Sequence, residues 1–190
     1  MKKIETPLAG CYIIEPQVFG DARGWFYESY SANAFSEIGI DTVFVQDNRS
    51  FSAQKGTLRG LHCQTEPHAQ TKLICCTRGV ITDVVVDIRE GSPSFMQHFA
   101  VELSDDNRRM LYIPKGYLHG FVTRTENVEV FYKVDDFYSP ACDRSVRYND
   151  SAFSIEWNES DPILSVKDQN NVPLCDSDIR FVWKKDQVCM

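Results

Sequence analysis

Hydrophobic positions along this 190-residue chain come in many short runs that are rich in β-branched and aromatic side chains. Runs of this kind are typical of β-strands when turn residues such as Arg78-Gly79 and Lys115-Gly116 separate them. The predicted strands are GCYIIEP near residue 12, TVFVQ at 42–46, GTLRGLHCQ at 56–64, KLICCTRGVITDVVVDI at 72–88, HFAVEL at 98–103, RMLYIP at 109–114 and VEVFYKV at 128–134. Many short strands separated by turns favour an all-β sandwich or barrel over a βαβ fold.

Helical signals are few. The stretch SANAFSEIGI predicts a helix that begins at Ser31 and ends at Gly39, and a second short helix is expected to begin near Asp176 or Ser177. The segment SVKDQN around Asp168 is predicted to be a loop. The length fits one domain over residues 1–190, with a peripheral C-terminal segment from about residue 160.

Composition and charge narrow the class of protein. Hydrophobic residues make up 43% and charged residues 25% of the chain, which excludes a disordered protein. The net charge of -7 argues against nucleic acid as a partner. There is no long apolar run and no signal-peptide core near the start, so we expect a cytoplasmic protein without a membrane segment. The seven cysteines form no CxxC pair, which favours reduced and mostly buried thiols.

Two histidines raise the question of a metal site. His62 follows Gly56 by six residues, and His119 ends the stretch PKGYLH; these spacings resemble the two halves of the cupin signature. In metal-binding cupins a second histidine and a glutamate complete the ligand set, but here Gln64 stands at the histidine position and His68 and Ala69 at the glutamate positions. An amide is a poor transition-metal ligand, so we expect no metal, and His62 remains available as a proton acceptor or as a buried structural residue.

Several longer stretches, in the same order along almost the whole chain, carry a more specific resemblance. They are FGDARGWFYESY (19–30), FVQDNRS (44–50), GTLRGLHCQ (56–64), KLICCTRGVITDVVVDIREGSPSF (72–95), LYIPKGYLHGF (111–121), FYKVDDFYSP (131–140), YNDSAFSIEW (148–157) and LSVKD (164–168). In these stretches the chain resembles the dTDP-4-dehydrorhamnose 3,5-epimerase family of metal-free cupins.

This resemblance implies a cupin-type double-stranded β-helix, or jelly roll, with a few short peripheral helices. It also implies a homodimer and a pocket for a dTDP-linked 4-keto-6-deoxy sugar, with no cofactor. By position, His62 corresponds to the catalytic base, Tyr132 to the acid, Asp168 to the partner of His62, and Lys72 to a residue at the sugar ketone. The expected substrate-binding residues also include Arg23, Glu28, Gln46, Asp47, Asn48, Arg59, His119, Asp143 and Lys167.

The chemistry of such a reaction requires these residue types. C3 and C5 of a 4-keto sugar both flank the carbonyl, so either C–H can be removed if the enolate is stabilised. Inversion needs a base on one face and an acid on the other; histidine, with an ordinary pKa of about 6.5, suits the base. A carboxylate such as Asp168 orients the imidazole, Tyr132 can donate a proton, and a Lys72 cation stabilises the enolate. Without the resemblance, Tyr132 could be a core residue, and Lys72 or Asp168 a surface charge.

Strand alternation places Arg59 and His62 on opposite faces of their strand. If both reach one pocket, the strand must be irregular, and Gly60 is the natural place because glycine within a strand often marks a bulge. We therefore predict a bulge at Gly60. Regular alternation from 57 to 63 would contradict it.

Two departures from the family pattern leave nucleotide specificity open. Asp143-Arg144 stands where glutamate and glycine are usual, and Tyr148 replaces a usual tryptophan. The leading hypothesis is a double epimerase, and the alternatives are a single-centre epimerase or one acting on another nucleotide, a metal-dependent cupin, and a non-catalytic sugar-binding module. Deuterium uptake from solvent, metal content and a His62→Ala variant distinguish them.

Overall fold

The computed structural model describes residues 1–184, whose regular secondary structure consists almost entirely of β-strands. In chain order the strands are β1 (Lys2–Glu5), β2 (Tyr12–Glu15), β3 (Val18–Asp21), β4 (Gly24–Tyr27), β5 (Gln46–Ser52), β6 (Leu58–Gln64), β7 (Lys72–Arg78), β8 (Val80–Asp87), β9 (Arg89–Glu90), β10 (His98–Ser104), β11 (Met110–Ile113), β12 (Tyr117–Thr123), β13 (Val128–Val134), β14 (Asp143–Ser145) and β15 (Phe181–Val182). The helices are α1 (Ala32–Glu37), α2 (Val166–Gln169) and a 3-10 turn (Leu174–Asp176). No helix within residues 1–184 is long and apolar enough to cross a membrane.

Two antiparallel sheets make up the body of the fold. The larger sheet has the order β1-β2-β11-β7-β13-β5, and the smaller has the order β10-β8-β12-β6-β14. Two further pairs, the hairpin β3-β4 and the parallel pair β9-β15, lie outside them. Apart from β1 and β2, no two neighbours in the large sheets are consecutive strands of the chain, as in the cupin-type jelly roll that the family resemblance implied.

The sheets meet through apolar side chains on their inner faces. Ile74 of β7 and Val130 of β13 belong to the same buried cluster as Val85 of β8 and Phe121 of β12, so both sheets contribute to one core. Removing these side chains from water is the main favourable contribution to such a two-layer fold. At one end of this interior the side chains become polar, and the cavity described below lies there.

The outer face of the smaller sheet is also covered. Val84 and Val86 of β8 pack in a second cluster with Phe153, Trp157 and Phe181 from the C-terminal part of the chain. A strand that is buried on both faces needs apolar side chains at successive positions rather than at alternate ones. This burial explains the three consecutive valines at 84–86 of β8.

One predicted strand was wrong. The run TVFVQ at 42–46 was expected to be a strand, but β5 begins only at Gln46 and continues through the polar sequence QDNRSFS. Backbone pairing with β13 determines where this strand begins and ends. Just before the strand, Val45 donates its N–H to the carbonyl oxygen of Val134 at 2.8 Å. Val43 is exposed despite its high strand propensity, which shows that pairing outweighs propensity here.

The helix predictions had mixed outcomes. The helix expected from Ser31 is present as α1, with Ser31 as its N-cap, although it ends at Glu37, before Gly39. The helix expected near Asp176 or Ser177 was wrong, because the 3-10 turn begins after Pro173 and Ser177 follows its end. The expected loop around Asp168 was also wrong: that residue lies in α2, which has a single turn and therefore no apolar periodicity to reveal it.

The bulge predicted at Gly60 is present. His62 faces His119 and Arg59 faces Phe121 across β6 and β12, so Gly60 and Leu61 together oppose Gly120 alone. Gly60 has a φ of 137°, and a Cβ added there would lie 2.6 Å from the Cα of Gly120. The extra residue reverses the alternation, and Arg59 and His62 consequently line the same cavity.

We predict that Gly60→Ala lowers the free energy of unfolding by about 3 kcal/mol or more, because it combines backbone strain with a collision between two strands. Urea denaturation measures this loss. Gly91→Ala is the matched control, since Gly91 also has a positive φ of 85° but has no atom within 4 Å of an added Cβ; its cost should be about 1–2 kcal/mol. Equal losses in the two variants would mean that the close approach of β6 and β12 contributes nothing.

Candidate active site

A cleft with two lobes opens between the sheets. The first lobe, of about 450 Å³, extends into the barrel interior, and the second, of about 250 Å³, lies beside it. His62, Lys72 and Tyr132 line both lobes and so form the place where they join. These are three of the four residues predicted to be catalytic.

The fourth predicted residue, Asp168, forms a direct hydrogen bond with His62. The His62 Nε2 atom lies 2.6 Å from Asp168 Oδ1, and the two side chains come from β6 and α2. Only 4% of the Asp168 side chain is exposed, compared with 32% of His62. A buried carboxylate thus supports an imidazole that faces the cavity, an arrangement that orients a general base and stabilises it once protonated.

Asp168 is held in its ionised form. Burial by itself raises the pKa of this carboxyl, but the hydrogen bond and charge of His62, together with hydrogen bonds from Ser165 and Asn171, outweigh burial and lower the pKa below 3.8. Ser165 Oγ donates to Asp168 Oδ2 at 2.9 Å, and Asn171 Nδ2 makes a longer contact of 3.4 Å with Oδ1. A carboxylate that receives several hydrogen bonds is favoured in its charged form.

This pairing determines which nitrogen of His62 can act as an acceptor toward the cavity. An ionised carboxylate can only accept, so Nε2 carries the hydrogen in the pair and Nδ1 of the neutral imidazole is left without one. Among residues 1–184, Nδ1 has no hydrogen-bond partner. It is therefore the atom that can accept a proton from a molecule in the cavity.

Tyr132 and Lys72 stand on the opposite sheet. Tyr132 on β13 is paired with Ile74 of β7, and Lys72 is paired with Val134, so the two polar side chains point to the same inner face. Burial raises the pKa of Tyr132, against a lowering effect of the Arg59 charge. Burial also lowers the pKa of Lys72, against raising effects of Cys63, Asp143 and Asp83. Neither side chain has a hydrogen bond or ion pair within the described chain.

His119 is a second imidazole in the same cavity. It faces His62 across β6 and β12, and its Nε2 lies 3.0 and 2.9 Å from the two carboxylate oxygens of Asp83, which is fully buried. Only 10% of the His119 side chain is exposed. His119 therefore borders the cavity as expected of a substrate-binding residue, but His62 presents far more of its ring.

Arg59 enters the first lobe with its guanidinium already oriented. Its Nε donates to Ser52 Oγ at 3.2 Å and its Nη2 to the carbonyl of Phe51 at 3.0 Å, both on β5. No carboxylate pairs with it within residues 1–184. A planar cation held in this way is suited to bind phosphate oxygens.

The second lobe gathers four more of the predicted substrate-binding residues. Gln46 and Asn48 reach it from the same face of β5, while Asp143 and Lys167 form an ion pair of 2.6 Å at its edge. The hydroxyl of Tyr138 lies 3.4 Å from the Asp143 carboxylate. A lobe with amides, an ion pair and an aromatic ring can bind a nucleotide.

Three predicted residues lie elsewhere in the single chain. Asp47 alternates with Gln46 and Asn48 on β5, and its exposed carboxylate pairs with Lys133 at 2.8 Å. Arg23 is at the tip of the hairpin β3-β4, where it pairs with Asp21, and Glu28 is exposed just after β4. None of these residues lines either lobe.

The residues that depart from the family pattern, Asp143, Arg144 and Tyr148, each contact neighbouring residues. Arg144 forms a two-point ion pair with Asp178 at 2.7 and 2.8 Å, and it lines neither lobe. The carbonyl of Tyr148 accepts the indole N–H of Trp157, and the two rings pack together on the outer face of the smaller sheet. Of the three departing positions, only Asp143 borders the cleft.

The sequence reasoning missed two polar residues of the site. Asp83 lies in the apolar run of β8 and gave no signal apart from being a charge in such a run. Ser165 is separated from Asp168 by the spacing of an N-cap and the third helical residue, which was a usable signal for the one-turn helix α2. Gln64, the residue at the position of the missing histidine, donates to the carbonyls of His68 and Phe137 and accepts from the N–H of Ser139.

A jelly-roll barrel with a histidine–aspartate pair on one wall and a tyrosine and a lysine on the other belongs, by fold and site, to the acid–base enzymes of the cupin type. Comparison with known proteins narrows this class. The family model described as dTDP-4-dehydrorhamnose 3,5-epimerase matches residues 5–176. The chain therefore belongs to the dTDP-4-dehydrorhamnose 3,5-epimerase family.

Individual relatives agree with this assignment. The chain is 50% identical over 167 residues to the dTDP-4-dehydrorhamnose 3,5-epimerase of Salmonella typhimurium, covering 87% of this chain and 91% of the relative. The crystal structure of a dTDP-6-deoxy-D-glucose-3,5-epimerase from Legionella pneumophila, in complex with dTDP-4-keto-L-rhamnose, superposes with a TM-score of 0.91 at 41% identity and covers 96% of this chain and 98% of that one.

A more distant structure is a double mutant of a 3'-monoepimerase from Streptomyces bikiniensis in complex with dTDP. It superposes with a TM-score of 0.84 at 30% identity, covering 90% of this chain and 87% of that one. The same fold therefore occurs in an enzyme described as inverting one centre.

The ionised state of Asp168 gives a pH prediction. A carboxyl whose pKa is lower in the folded than in the unfolded protein stabilises the fold above its unfolded value, here 3.8, and this stability is lost as the pH falls through the lower folded value. We expect the difference in unfolding free energy between the wild type and Asp168→Asn to shrink as the pH falls from about 5 to about 3, measured by urea denaturation. Asp161→Asn, an exposed carboxylate without a hydrogen bond in the described chain, is the control. A difference that stays constant would contradict the prediction.

Proposed function

We propose that the chain catalyses cofactor-independent epimerisation at C3 and C5 of dTDP-4-dehydro-6-deoxy-D-glucose, giving dTDP-4-dehydro-L-rhamnose in deoxysugar biosynthesis. The observation that carries this proposal is the placement of an acceptor and a donor on opposite walls of one cleft. His62, supported by Asp168, belongs to the smaller sheet, and Tyr132 belongs to the larger one. Inversion at a carbon requires this opposition, since the proton must leave one face and return to the other.

The proposed sequence of proton transfers begins at His62. Its Nδ1 takes the hydrogen of C3 or C5 as a proton, and the electrons of that C–H bond move into an enolate whose charge lies on the sugar O4. Lys72 is the cation in the cleft that can stabilise this oxyanion more strongly than the ground-state ketone. Tyr132 then donates its phenolic proton to the same carbon from the opposite face.

Each inversion leaves His62 protonated and Tyr132 ionised. Before the next inversion, His62 must lose its proton and Tyr132 must regain one. Asp168 stabilises the imidazolium in the interval. Arg59 favours the ionised form of Tyr132, because its charge opposes the effect of burial on the pKa of that phenol. We propose that Arg59 and Lys167 also bind the diphosphate, and that the second lobe holds the nucleoside.

Sequence identity favours the double epimerase, with the single-centre enzyme as the second candidate. The chain is 50% and 41% identical to the two 3,5-epimerases described above and 30% identical to the monoepimerase. The monoepimerase mutant carries substitutions of a histidine and a tyrosine separated by the same number of residues as His62 and Tyr132. The acid–base pair is thus common to both reactions, and the number of centres inverted must be measured.

Incubation in deuterium oxide with dTDP-4-dehydro-6-deoxy-D-glucose makes this measurement. We expect deuterium to enter at both C3 and C5, as seen by loss of both proton signals and a mass increase of about two units, because each inversion returns a proton that has exchanged with solvent. Uptake at only one carbon would identify a single-centre epimerase, and uptake at neither would exclude both.

Two variants test the separate roles in the same experiment. His62→Ala should lose both exchange and inversion by a factor of about 10² to 10⁴, the usual contribution of a general base, while its circular dichroism stays that of the wild type. Tyr132→Phe keeps the base, so it should still exchange deuterium without inverting the centre. Inversion by Tyr132→Phe at the wild-type rate would show that another group is the acid.

We also propose that the protein acts as a homodimer in the cytoplasm. The hairpin β3-β4 exposes Phe19, Trp25 and Phe26, at 57%, 58% and 70%, which is far more apolar surface than a short hairpin leaves in water without a partner. Arg23, predicted to bind substrate, lies at its tip and outside the chain's own cleft. Both facts are explained if the hairpin covers the cleft of a second copy.

The six described cysteines are free, which suits a reducing compartment such as the cytoplasm.

Mixing two impaired variants tests whether the hairpin of one subunit contributes to the cleft of the other. Arg23→Ala and His62→Ala should each be impaired as homodimers. After the two are mixed and allowed to exchange subunits, about a quarter of the wild-type activity should return, because half of the dimers are mixed and each mixed dimer has one intact site. If Arg23 acted within its own chain, no activity would return. Sedimentation of each variant confirms that dimers are present.

A further inference from the structure

We infer that Ser165 is a positioning residue for the acid–base reaction: its hydroxyl fixes the carboxylate of Asp168, and through it the imidazole of His62. The inference rests on the proposed function, because it assigns a role within that reaction. Ser165 lines the first lobe but has no group that could serve as the base or the acid at neutral pH. Its contribution is the orientation of two other side chains.

The Ser165 hydroxyl makes two hydrogen bonds to the same residue. It accepts the backbone N–H of Asp168 at 3.1 Å and donates its own hydrogen to Asp168 Oδ2 at 2.9 Å. One end of Asp168 is therefore fixed at the backbone and the other at the carboxylate. With Oδ2 engaged in this way, the second oxygen, Oδ1, is directed at His62 Nε2, 2.6 Å away.

The alternatives to Ser165 are weak. Asn171 is the other side chain that donates to Asp168 apart from His62, and its contact with Oδ1 is 3.4 Å long and shared with the carbonyl of Val146 at 3.5 Å. Without Ser165 the carboxylate could rotate about its χ2 bond, because terminal torsions of aspartate have broad minima. The imidazole would then lose the partner that fixes its tautomer.

A second N-cap serine, Ser31, makes it possible to distinguish the positioning of Asp168 by Ser165 from the capping of a helix. Ser31 is the N-cap of α1, where it accepts the N–H of Ala34 at 3.4 Å, and α1 contributes no residue to either lobe. Each of the two serines caps a short helix, but only Ser165 also donates to a carboxylate of the site. Loss of either hydroxyl should destabilise its helix to a similar extent, whereas only the loss of Ser165 should affect His62.

The test compares Ser165→Ala, Ser165→Gly and Ser165→Thr with Ser31→Ala and Asn171→Ala. Glycine is accepted as an N-cap with little loss of stability, so Ser165→Gly removes the hydroxyl while keeping the helix. Threonine keeps the hydroxyl and should behave like the wild type. For the alanine and glycine variants we expect kcat to fall by roughly 10-fold to 100-fold, the usual effect of a misplaced catalytic group, with KM nearly unchanged.

A proton NMR spectrum of the protein without substrate gives a readout that is independent of turnover. The Nε2 hydrogen of His62, in a short bond to Asp168, should give a resonance far downfield that is absent from His62→Ala. This resonance should move upfield or broaden in Ser165→Ala and Ser165→Gly, and it should persist in Ser165→Thr and Ser31→Ala. Asn171→Ala should change it little.

Distinct outcomes would overturn the inference. Suppose that Ser165→Ala keeps the wild-type kcat and the His62 resonance and loses as much stability as Ser31→Ala. Ser165 would then serve only as a helix cap. A raised KM with an unchanged kcat would mean that the hydroxyl contacts the substrate instead. If the resonance depends on Ser165 but the wild type takes up no deuterium from solvent into the dTDP sugar, the proposed function fails while the control of His62 by Ser165 stands.

Discussion

The close approach of β6 and β12 at Gly60 and Gly120 is the constraint on which the site depends. An added Cβ on either glycine would lie within 2.7 Å of the opposite backbone, so the two strands can touch only where side chains are missing. The contact permits the bulge, and the bulge allows Arg59 and His62 to enter one cavity from a single strand. The cation that can bind phosphate and the histidine that can accept a proton are thereby fixed three residues apart.

Charge is distributed around this cavity in a way that the overall composition hides. The chain has a net charge of -7, yet the carboxylates that border or underlie the cleft are each committed to a cationic or imidazole partner: Asp168 to His62, Asp83 to His119, and Asp143 to Lys167. Lys72 and Arg59 have no carboxylate partner within residues 1–184. An acidic protein therefore keeps a locally positive cleft in which a diphosphate and an enolate can be stabilised.

Much of the fold and site could be predicted because local patterns determine it. Alternation places Tyr132 toward the interior, the bulge follows from Gly60, and Ser31 begins α1 as expected. Alternation could also have shown that Asp47 points away from Gln46 and Asn48. What could not be predicted depends on contacts between distant segments: β5 lies where β13 pairs with it, and Asp83 is explained only by His119 on a neighbouring strand. The single turn of α2 is too short to give a periodic signal, and only the N-cap spacing of Ser165 and Asp168 indicated it.

The bond between His62 and Asp168 joins residues that are 106 positions apart. During synthesis on the ribosome, the strand with the histidine emerges long before the turn with its carboxylate. A chain made only as far as β14 therefore contains the histidine but not the carboxylate that orients its ring. The imidazole can be oriented only after every strand of the two large sheets has been synthesised.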